Sequence, residues 1–469
     1  MFVQKYNTED TIAAIATAEG VSAIGIIRIS GNDAINVCAK IFKGKDLNIQ
    51  KSHTIHYGYI TENEHILDEV MVSIFKAPKS FTTENSIEIS CHGSPFILTQ
   101  ILQLLIKNGA RLALPGEFSL RAFVKGRIDL SQAEAVGEII ASQNQAQLNI
   151  ALQQMRGGLS HEIAFLRNQL LEFASLIELE LDFGEEDVEF ADRTQLNSLI
   201  DKIVNHINPM IQSFKYGNAI KNGIPVAIIG RPNAGKSSLL NLLLNEDRAI
   251  VSEIAGTTRD TIEEVLNING MSYRFIDTAG IRETEDEIES IGIGKAIKKI
   301  EEAHAIFYIF DSKETEISEV FKDLAMIVEK NGDSKIIVLA NKSDLISDEQ
   351  KKLIKENLNF KKITQNISIQ LSENSVLEIN KLKLLLFEAI KQNNEQEGQT
   401  VITNLRHFQA LLDAKTSLDT VVSGLQNQFT SDLLATDIKK AIYALGEISG
   451  EISNDEVLAN IFGKFCIGK

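Results

Sequence analysis

The stretch Gly230-Arg231-Pro232-Asn233-Ala234-Gly235-Lys236-Ser237 constrains this chain more than any other. It fits G-x-x-x-x-G-K-[ST], a loop that works only between a strand and a helix. The apolar run Pro225–Ile229 predicts the strand, and Ser238–Leu244 predicts the helix. The glycines let backbone N–H groups turn inward around phosphates, where a Cβ would clash. Lys236 is placed to reach the β- and γ-phosphates, and the Ser237 hydroxyl to bind Mg²⁺. Asn233, Ala234, Gly235 and Ser238 complete the candidate nucleotide-binding set of this loop. A bare glycine turn between a core strand and a helix is the alternative, and the correct flanks argue against it.

Further motifs follow in order. Tyr273–Ile276 predicts a short strand running into Asp277-Thr278-Ala279-Gly280. The Asp277 carboxylate can hold the Mg²⁺ shell, and the Gly280 N–H can meet a γ-phosphate. Thr258, in Ile254-Ala255-Gly256-Thr257-Thr258-Arg259-Asp260, offers a second hydroxyl for Mg²⁺ when that loop closes. Lys335–Ala340 predicts a strand ending in Asn341-Lys342-Ser343-Asp344. This N-K-x-D pattern resembles the guanine-reading element of Ras-like GTPases. Its carboxylate can accept the ring N–H and the exocyclic amine of guanine, a pairing that adenine cannot offer. Four such motifs in the right order predict a GTPase domain.

At 469 residues the chain exceeds one core, and two or three domains are expected. A hydrophobic share of 44% and a mean hydropathy of −0.03 predict a soluble globular protein. Its 47 Lys and Arg against 64 Asp and Glu give a net charge of −17. So acidic a chain does not resemble a nucleic-acid wrapper, and RNA contact must rest on a local basic patch or a basic partner. No apolar run long enough to span a bilayer, and no signal-peptide pattern, is found. Cys38, Cys91 and Cys466 form no C-x-x-C pair, so a reducing cytoplasm is expected.

The fold class expected is multidomain, α+β and α/β. Up to about residue 125, Ile24–Ser30 and Ser86–His92 alternate as half-buried strands, and Ile97–Leu105 predicts a helix. From Ser131 the texture becomes helical. Ile163, Leu166, Leu170, Phe173 and Ile177 mark one face of a long helix, and another helix is expected to end near Ser213. Residues 126–221 form the first helical part, 222–391 the GTPase domain, and 392–469 the second helical part, opened by a polar linker at 392–398. In the last part Leu434, Ile438, Ile442, Leu445 and Ile448 mark an amphipathic helix. Neither helical part is complete alone. One discontinuous helical domain is expected, with a GTPase domain of mainly parallel sheet inserted into it.

Taken together these features resemble the MnmE (TrmE) family of tRNA modification GTPases over nearly the whole chain. The resemblance is carried by Asp10–Thr17, Ile27–Gly31, Pro115–Phe123, Asp129–Ala135, Gly256–Asp260 and the terminal Phe465-Cys466-Ile467-Gly468-Lys469. It implies an N-terminal folate-binding-like domain at 1–125 that makes a homodimer. It implies work with a flavin-dependent partner, MnmG, as a heterotetramer. Together they build a carboxymethylaminomethyl or aminomethyl group on C5 of the wobble uridine of certain tRNAs. A tetrahydrofolate derivative, 5-formyl or methylene, is the implied one-carbon source. By position the folate contacts fall on Arg28, Glu88 and Arg127, with Lys469 nearby. A carboxylate suits a pterin edge, and cations suit a glutamate tail.

The same resemblance implies K⁺-dependent hydrolysis of Mg²⁺–GTP, with GTPase domains pairing. Asn233, Ser252, Ile254 and Thr257 are the implied K⁺ set. Ras-like enzymes orient the attacking water with a glutamine after D-x-x-G, and here that position is Ile281. The family pattern singles out Glu289 instead, at the end of an acidic segment expected to swing inward. Lys236, Thr258 and Glu289 are therefore the implied catalytic set. Two features depart from the family pattern. The usual glycine- and proline-rich loop is here Ala18–Ala23, and the turn supporting the base is degraded, with Ser368-Ile369-Gln370 and Ser372-Glu373-Asn374 both candidates. Cys466 is either a reactive thiol or, as free cysteines more often are, a small buried group near a ligand. The competing functional class is an Era-like regulatory GTPase of ribosome or RNA assembly, which the N-terminal domain disfavours.

Overall fold

The structure, a computed structural model, describes residues 9–182, 192–247, 264–276, 300–331, 334–357, 363–368, 376–391, 400–453 and 455–468. The chain divides into two compact units. One comprises Met1–Ala141, Ala151–Ile207 and Gln409–Lys469, the other Ser142–Ile150 and Asn208–Phe408.

The first unit opens with β1 (Ile12–Ile15), β2 (Ser22–Ser30), α1 (Ala34–Ala39), β3 (Phe42–Lys43), β4 (Thr54–Glu62), β5 (His65–Phe75), β6 (Ser86–Gly93), α2 (Pro95–Lys107) and β7 (Arg111–Leu112). The strands form one sheet in the order β3-β4-β5-β6-β2-β1-β7, antiparallel except for the β1–β7 pair. Period-two alternation places Ile27, Ile29, Val70, Val72, Ile74, Ile87 and Ile89 on the face that α1 and α2 cover. The other face carries two rows fixed by register. Arg28, Glu88, Ser73 and Ile55 stand side by side, and Ile26, Ser90, Met71 and Tyr57 form the next row.

Helices follow: α3 (Glu117–Val124), α4 (Leu130–Ala141), α5 (Gln145–Met155), α6 (Gly158–Asp182) and α7 (Arg193–Asn222). After the second unit come α12 (Leu405–Gln426), α13 (Ser431–Ser449) and α14 (Asp455–Phe462), so the helical part is discontinuous as expected. Its main seam is α6 against α13. Ile163, Leu166, Leu170 and Ile177 are buried on α6, and Leu434, Ile438, Ile442, Leu445 and Ile448 on α13. Phe173 departs from the expected stripe. It is only half-buried, and the neighbouring Ala174 takes the inward position, because it stands four residues after Leu170 and three before Ile177 on the same helix face.

Helix α7 also departs, running on to Asn222 rather than ending near Ser213. Pro209 lies inside it, and the helix tolerates the missing N–H because the buried series Leu196, Ile200, Ile203, Ile207 and Met210 passes straight through that turn.

The second unit holds β8 (Ile224–Ile229), α8 (Lys236–Asp247), β9 (Glu264–Ile268), β10 (Met271–Phe275), β11 (Ala305–Asp311), α9 (Ile317–Lys330), β12 (Lys335–Asn341), α10 (Asp348–Asn357), β13 (Ile363–Ser368) and α11 (Val376–Lys391). Its sheet order is β13-β12-β11-β8-β10-β9, parallel throughout except for the β9–β10 hairpin. The central strands β8, β11 and β12 are almost continuously apolar, as strands covered on both faces must be.

Segment 142–150 belongs to this unit and caps the hairpin. Asn144 Nδ2 donates to Ser272 Oγ at 2.8 Å, Ser272 Oγ donates to Asn267 Oδ1 at 2.6 Å, and Ala146 N donates to the Gly270 carbonyl at 3.0 Å. Among the described residues no helix is long and apolar enough to cross a membrane.

Candidate nucleotide site and ligand face

In the second unit the register of the parallel strands brings the motif residues together. Tyr308 of β11 pairs with Ile229 of β8, and Asp311 pairs with Asn341 of β12, so the carboxyl ends of three adjacent strands form one edge. Open parallel sheets bind ligands at that edge. Gly230 turns the chain directly under β11, and a Cβ there would stand 2.0 Å from the Ile309 carbonyl oxygen. No other residue type fits the first position of the loop. Asn233 adopts a left-handed conformation, φ 59°, at the loop's apex.

Lys236, the first residue of α8, donates from Nζ to the carbonyls of Gly230 and Arg231, both at 2.8 Å. The loop thus curls around its own lysine, and the first turn of α8 supplies the N–H groups and positive dipole end that anions favour. Asn341 is buried and donates from Nδ2 to the Ala234 carbonyl at 2.9 Å, tying the base-reading strand to the phosphate loop. Ser237, Ser238 and Asp344 are exposed. The donors and acceptors present therefore fit a nucleoside triphosphate lying across the edge. Thr257, Thr258, Asp277, Thr278, Ala279, Gly280 and Glu289 lie outside the described residues, as do Ser252 and Ile254. The choice of serine turn near 368–374 also falls there, apart from the backbone of Ser368 at the end of β13.

Asp311 is a member of the site that the sequence reading passed over. It is buried, accepts from Lys342 Nζ at 2.6 Å, and accepts from the Lys313 backbone N–H at 2.9 Å. Burial pushes its carboxyl upward, but those two donors outweigh the burial and hold it below the ordinary aspartate range. Its hydrogen bond in turn raises the Lys342 ammonium. The available signal was an aspartate closing the apolar run Ala305–Phe310, in register with the asparagine of N-K-x-D.

In the first unit the sheet face assembles the other constellation. Arg28 donates from Nε and Nη2 to Glu88 Oε1, at 3.0 and 2.8 Å, and from Nη1 to the Gly468 carbonyl at 3.1 Å. Arg28 also lies over the Phe118 ring, 5.7 Å from its centroid. Phe118 packs in a small cluster with Phe81, and Arg127 lies over the Phe81 ring at 5.6 Å while donating to the Ser80 carbonyl. Arg28, Glu88 and Arg127 are thus linked through two aromatic rings that sequence reasoning did not single out. Gly468 is pressed against β1, where a Cβ would meet the Ile15 carbonyl oxygen at 2.5 Å, and its φ is +98°. This explains the glycine of the terminal motif. Lys469 lies outside the described residues.

Residues 11–127 match the family described as "GTP-binding protein TrmE N-terminus", and residues 130–466 match the "MnmE helical domain". The chain belongs to the MnmE family. Relatives called "tRNA modification GTPase MnmE" agree along their whole length. The one from Flavobacterium psychrophilum is 53% identical, with 98% of this chain and 99% of that one covered. Those of Flavobacterium johnsoniae and Cytophaga hutchinsonii are 51% and 50% identical, covering 98% and 99% of this chain and 99% and 98% of theirs.

The family fingerprint Pro115–Phe123 has a physical content. Glu117 and Arg121 are fully buried and paired at 3.0 Å; Arg121 also reaches Glu84 at 3.1 Å, and Arg111 reaches Glu117 at 2.7 Å. Arg121 further donates to the Asp10 carbonyl at 2.7 Å, holding the start of β1.

Cys466 corrects an expectation. It is exposed rather than a small buried group, because the terminal turn directs Phe465 inward against Phe462 and leaves Cys466 and Ile467 outward. Cys38 and Cys91 are the buried thiols, and burial pushes them up to about 12 and about 11.

Proposed function

We propose that this chain is the GTP-hydrolysing subunit of a complex that modifies C5 of the tRNA wobble uridine. It adds an aminomethyl or carboxymethylaminomethyl group together with a flavin-dependent MnmG-type partner and a one-carbon tetrahydrofolate, in the cytoplasm. The observation that carries the nucleotide half is the shared edge at which Lys236 sits in its own loop and Asn341 ties that loop to the N-K-x-D strand. The family and its curated relatives carry the tRNA half.

On this reading the loop 230–237 wraps the phosphates, Lys236 and the N-terminal amides of α8 balance their charge, and Ser237 with Thr258 holds Mg²⁺. The metal neutralises charge that develops on the phosphoryl oxygens. Asp344 accepts the two guanine N–H groups, while Asp311 keeps the Lys342 stem in place beside the base. Asn233, with Ser252, Ile254 and Thr257, holds K⁺, and Glu289 orients the water that Ile281 cannot.

The folate would lie on the sheet face between Glu88 and Arg127. Arg28 occupies one oxygen of Glu88 only, and Glu88 is about a quarter exposed (29%), so its carboxylate can still meet a pterin edge. Exposed Ile55, Tyr57 and Met71 continue that face, which supports a homodimer closing over it.

Mass spectrometry of tRNA nucleosides from a deletion strain tests the function. Loss of the C5-modified wobble uridine, restored by the gene, is expected. An unchanged nucleoside profile would favour an assembly GTPase.

A further inference from the structure

The nucleotide site described above uses Arg231 only through its backbone carbonyl. The side chain is held as well. Its Nη1 donates to Glu319 Oε2 at 2.7 Å and its Nε to Asp323 Oδ2 at 3.2 Å. Glu319 and Asp323 stand four residues apart on α9, so both carboxylates face the same way. Asp323 Oδ2 also accepts from Tyr308 Oη at 2.7 Å, and Tyr308 is a buried residue in the middle of β11. The carboxylate is thereby fixed from within the core before the arginine meets it. A planar guanidinium forked between two carboxylates resists rotation in a way that a single ammonium contact does not.

We propose that Arg231 is a positioning residue of the nucleotide site: its side chain tethers the phosphate loop to α9 so that Lys236 points at bound phosphates. The proposal rests on the reading of this loop as a GTP site. Arg231 joins the two halves of the device, since its carbonyl accepts Lys236 Nζ and its guanidinium grips α9. Between Gly230 and Lys236 the backbone passes through a left-handed asparagine, a conformation that neighbouring structure must hold in place. A purely structural ion pair is the competing account. Arg231 and Glu319 are each 40% exposed, and ion pairs so exposed add little to stability. The two accounts therefore differ in what should move.

The test uses the full chain with a fluorescent GDP analogue, steady-state GTP turnover and thermal unfolding. The variants are Arg231→Ala, Arg231→Lys, Asp323→Asn and the double variant Arg231→Ala with Asp323→Asn. Asparagine keeps an acceptor for Tyr308, so that variant retains the core. Each of Arg231→Ala and Asp323→Asn should weaken GDP binding and raise KM for GTP about five- to tenfold, the scale of one lost charge-assisted bond. The unfolding midpoint should stay near that of the parent. Arg231→Lys should recover part of the affinity, and the double variant should be no weaker than Arg231→Ala alone. Affinity within twofold of the parent in Arg231→Ala, or single effects that multiply in the double variant, would overturn the tether. A parent chain that binds no guanine nucleotide would instead overturn the functional reading on which the tether rests.

Discussion

Glu88 stands at the point where two demands meet. It balances Arg28 in the free protein, and on the proposed reading it must also bind the pterin. Its replacement by alanine removes the ligand's partner but leaves Arg28 its bond to the Gly468 carbonyl, so the fold should persist. Calorimetry with 5-formyl- or methylene-tetrahydrofolate should show Glu88→Ala losing at least tenfold in affinity, roughly 1.4 kcal/mol or more; undiminished binding would remove Glu88 from the site. Glu289→Ala tests the other ligand. It should keep nucleotide affinity while losing most K⁺-stimulated turnover, the pattern of an interaction made only in the transition state. Equal turnover in Na⁺ and K⁺ would sink the cation assignment. At this scale the sequence showed residues whose motif is contiguous, such as Lys236 in its loop and Asn341 at its strand end. It hid Asp311, Tyr308, Phe81 and Phe118. Their partners lie on neighbouring strands or across a core, and only register brings them together. The sequence leaves the two readings of Cys466 open for the same reason, since the direction of one side chain in a terminal turn is set by what Phe465 packs against.

Among the elements, α6 and α13 carry the discontinuous helical part, and their seam was visible as spacing alone. Ile438 is fully buried in it. Its replacement by alanine should cost about 2–5 kcal/mol, read as a lowered denaturant midpoint, because the rigid helices cannot collapse onto the gap. The buried charges beside β1 are different in kind. Burial pushes the Glu117 carboxyl upward, but Arg111, the Leu114 N–H and Arg121 more than reverse that, so its folded value lies below the ordinary glutamate value. A depressed carboxyl contributes stability above its unfolded pKa, and that stability is lost as pH falls through the folded value. Acid unfolding of the parent should therefore steepen below the ordinary glutamate range. Glu117→Gln should flatten that limb and cost about 3–5 kcal/mol at neutral pH, since it removes a buried charge that Arg111 and Arg121 share. A parallel acid limb in the variant would contradict this. The strands of this sheet were legible from alternation. Helix α7 runs on to Asn222, past the expected end near Ser213, because Ala219 and Ile220 of its last turns are buried, a tertiary signal that local spacing does not carry.

For the whole molecule, the GTPase fold was recognisable from its motifs, yet the compact unit reaches beyond them. It takes in Ser142–Ile150 and continues from Asn208 to Phe408. Ala219, at the end of α7, sits in its core, Ile220 beside it is buried, and Phe214 stacks on Phe408 with ring centroids 4.3 Å apart. Ile402 is buried and donates its N–H to Ser213 Oγ at 3.0 Å. A fragment of residues 222–391 would discard all of these contacts. Each large apolar side chain uncovered or deleted forfeits about 1.5–3 kcal/mol, so this fragment should melt well below one spanning 208–408, as calorimetry of the two would show. Equal midpoints would mean that the flanking helices add nothing.

The cap formed by Asn144 and Ala146 carries this further. The β9–β10 hairpin joins the chain stretches that contain Thr258 and Asp277, and its turn is gripped by a segment lying far upstream in sequence. Anyone grafting this module onto another scaffold would have to transplant two separate pieces of chain, Ser142–Ile150 and Asn208–Phe408. The short upstream piece is bound to the hairpin by hydrogen bonds, so a cut at 222 and 391 leaves behind a part that the unit keeps for itself.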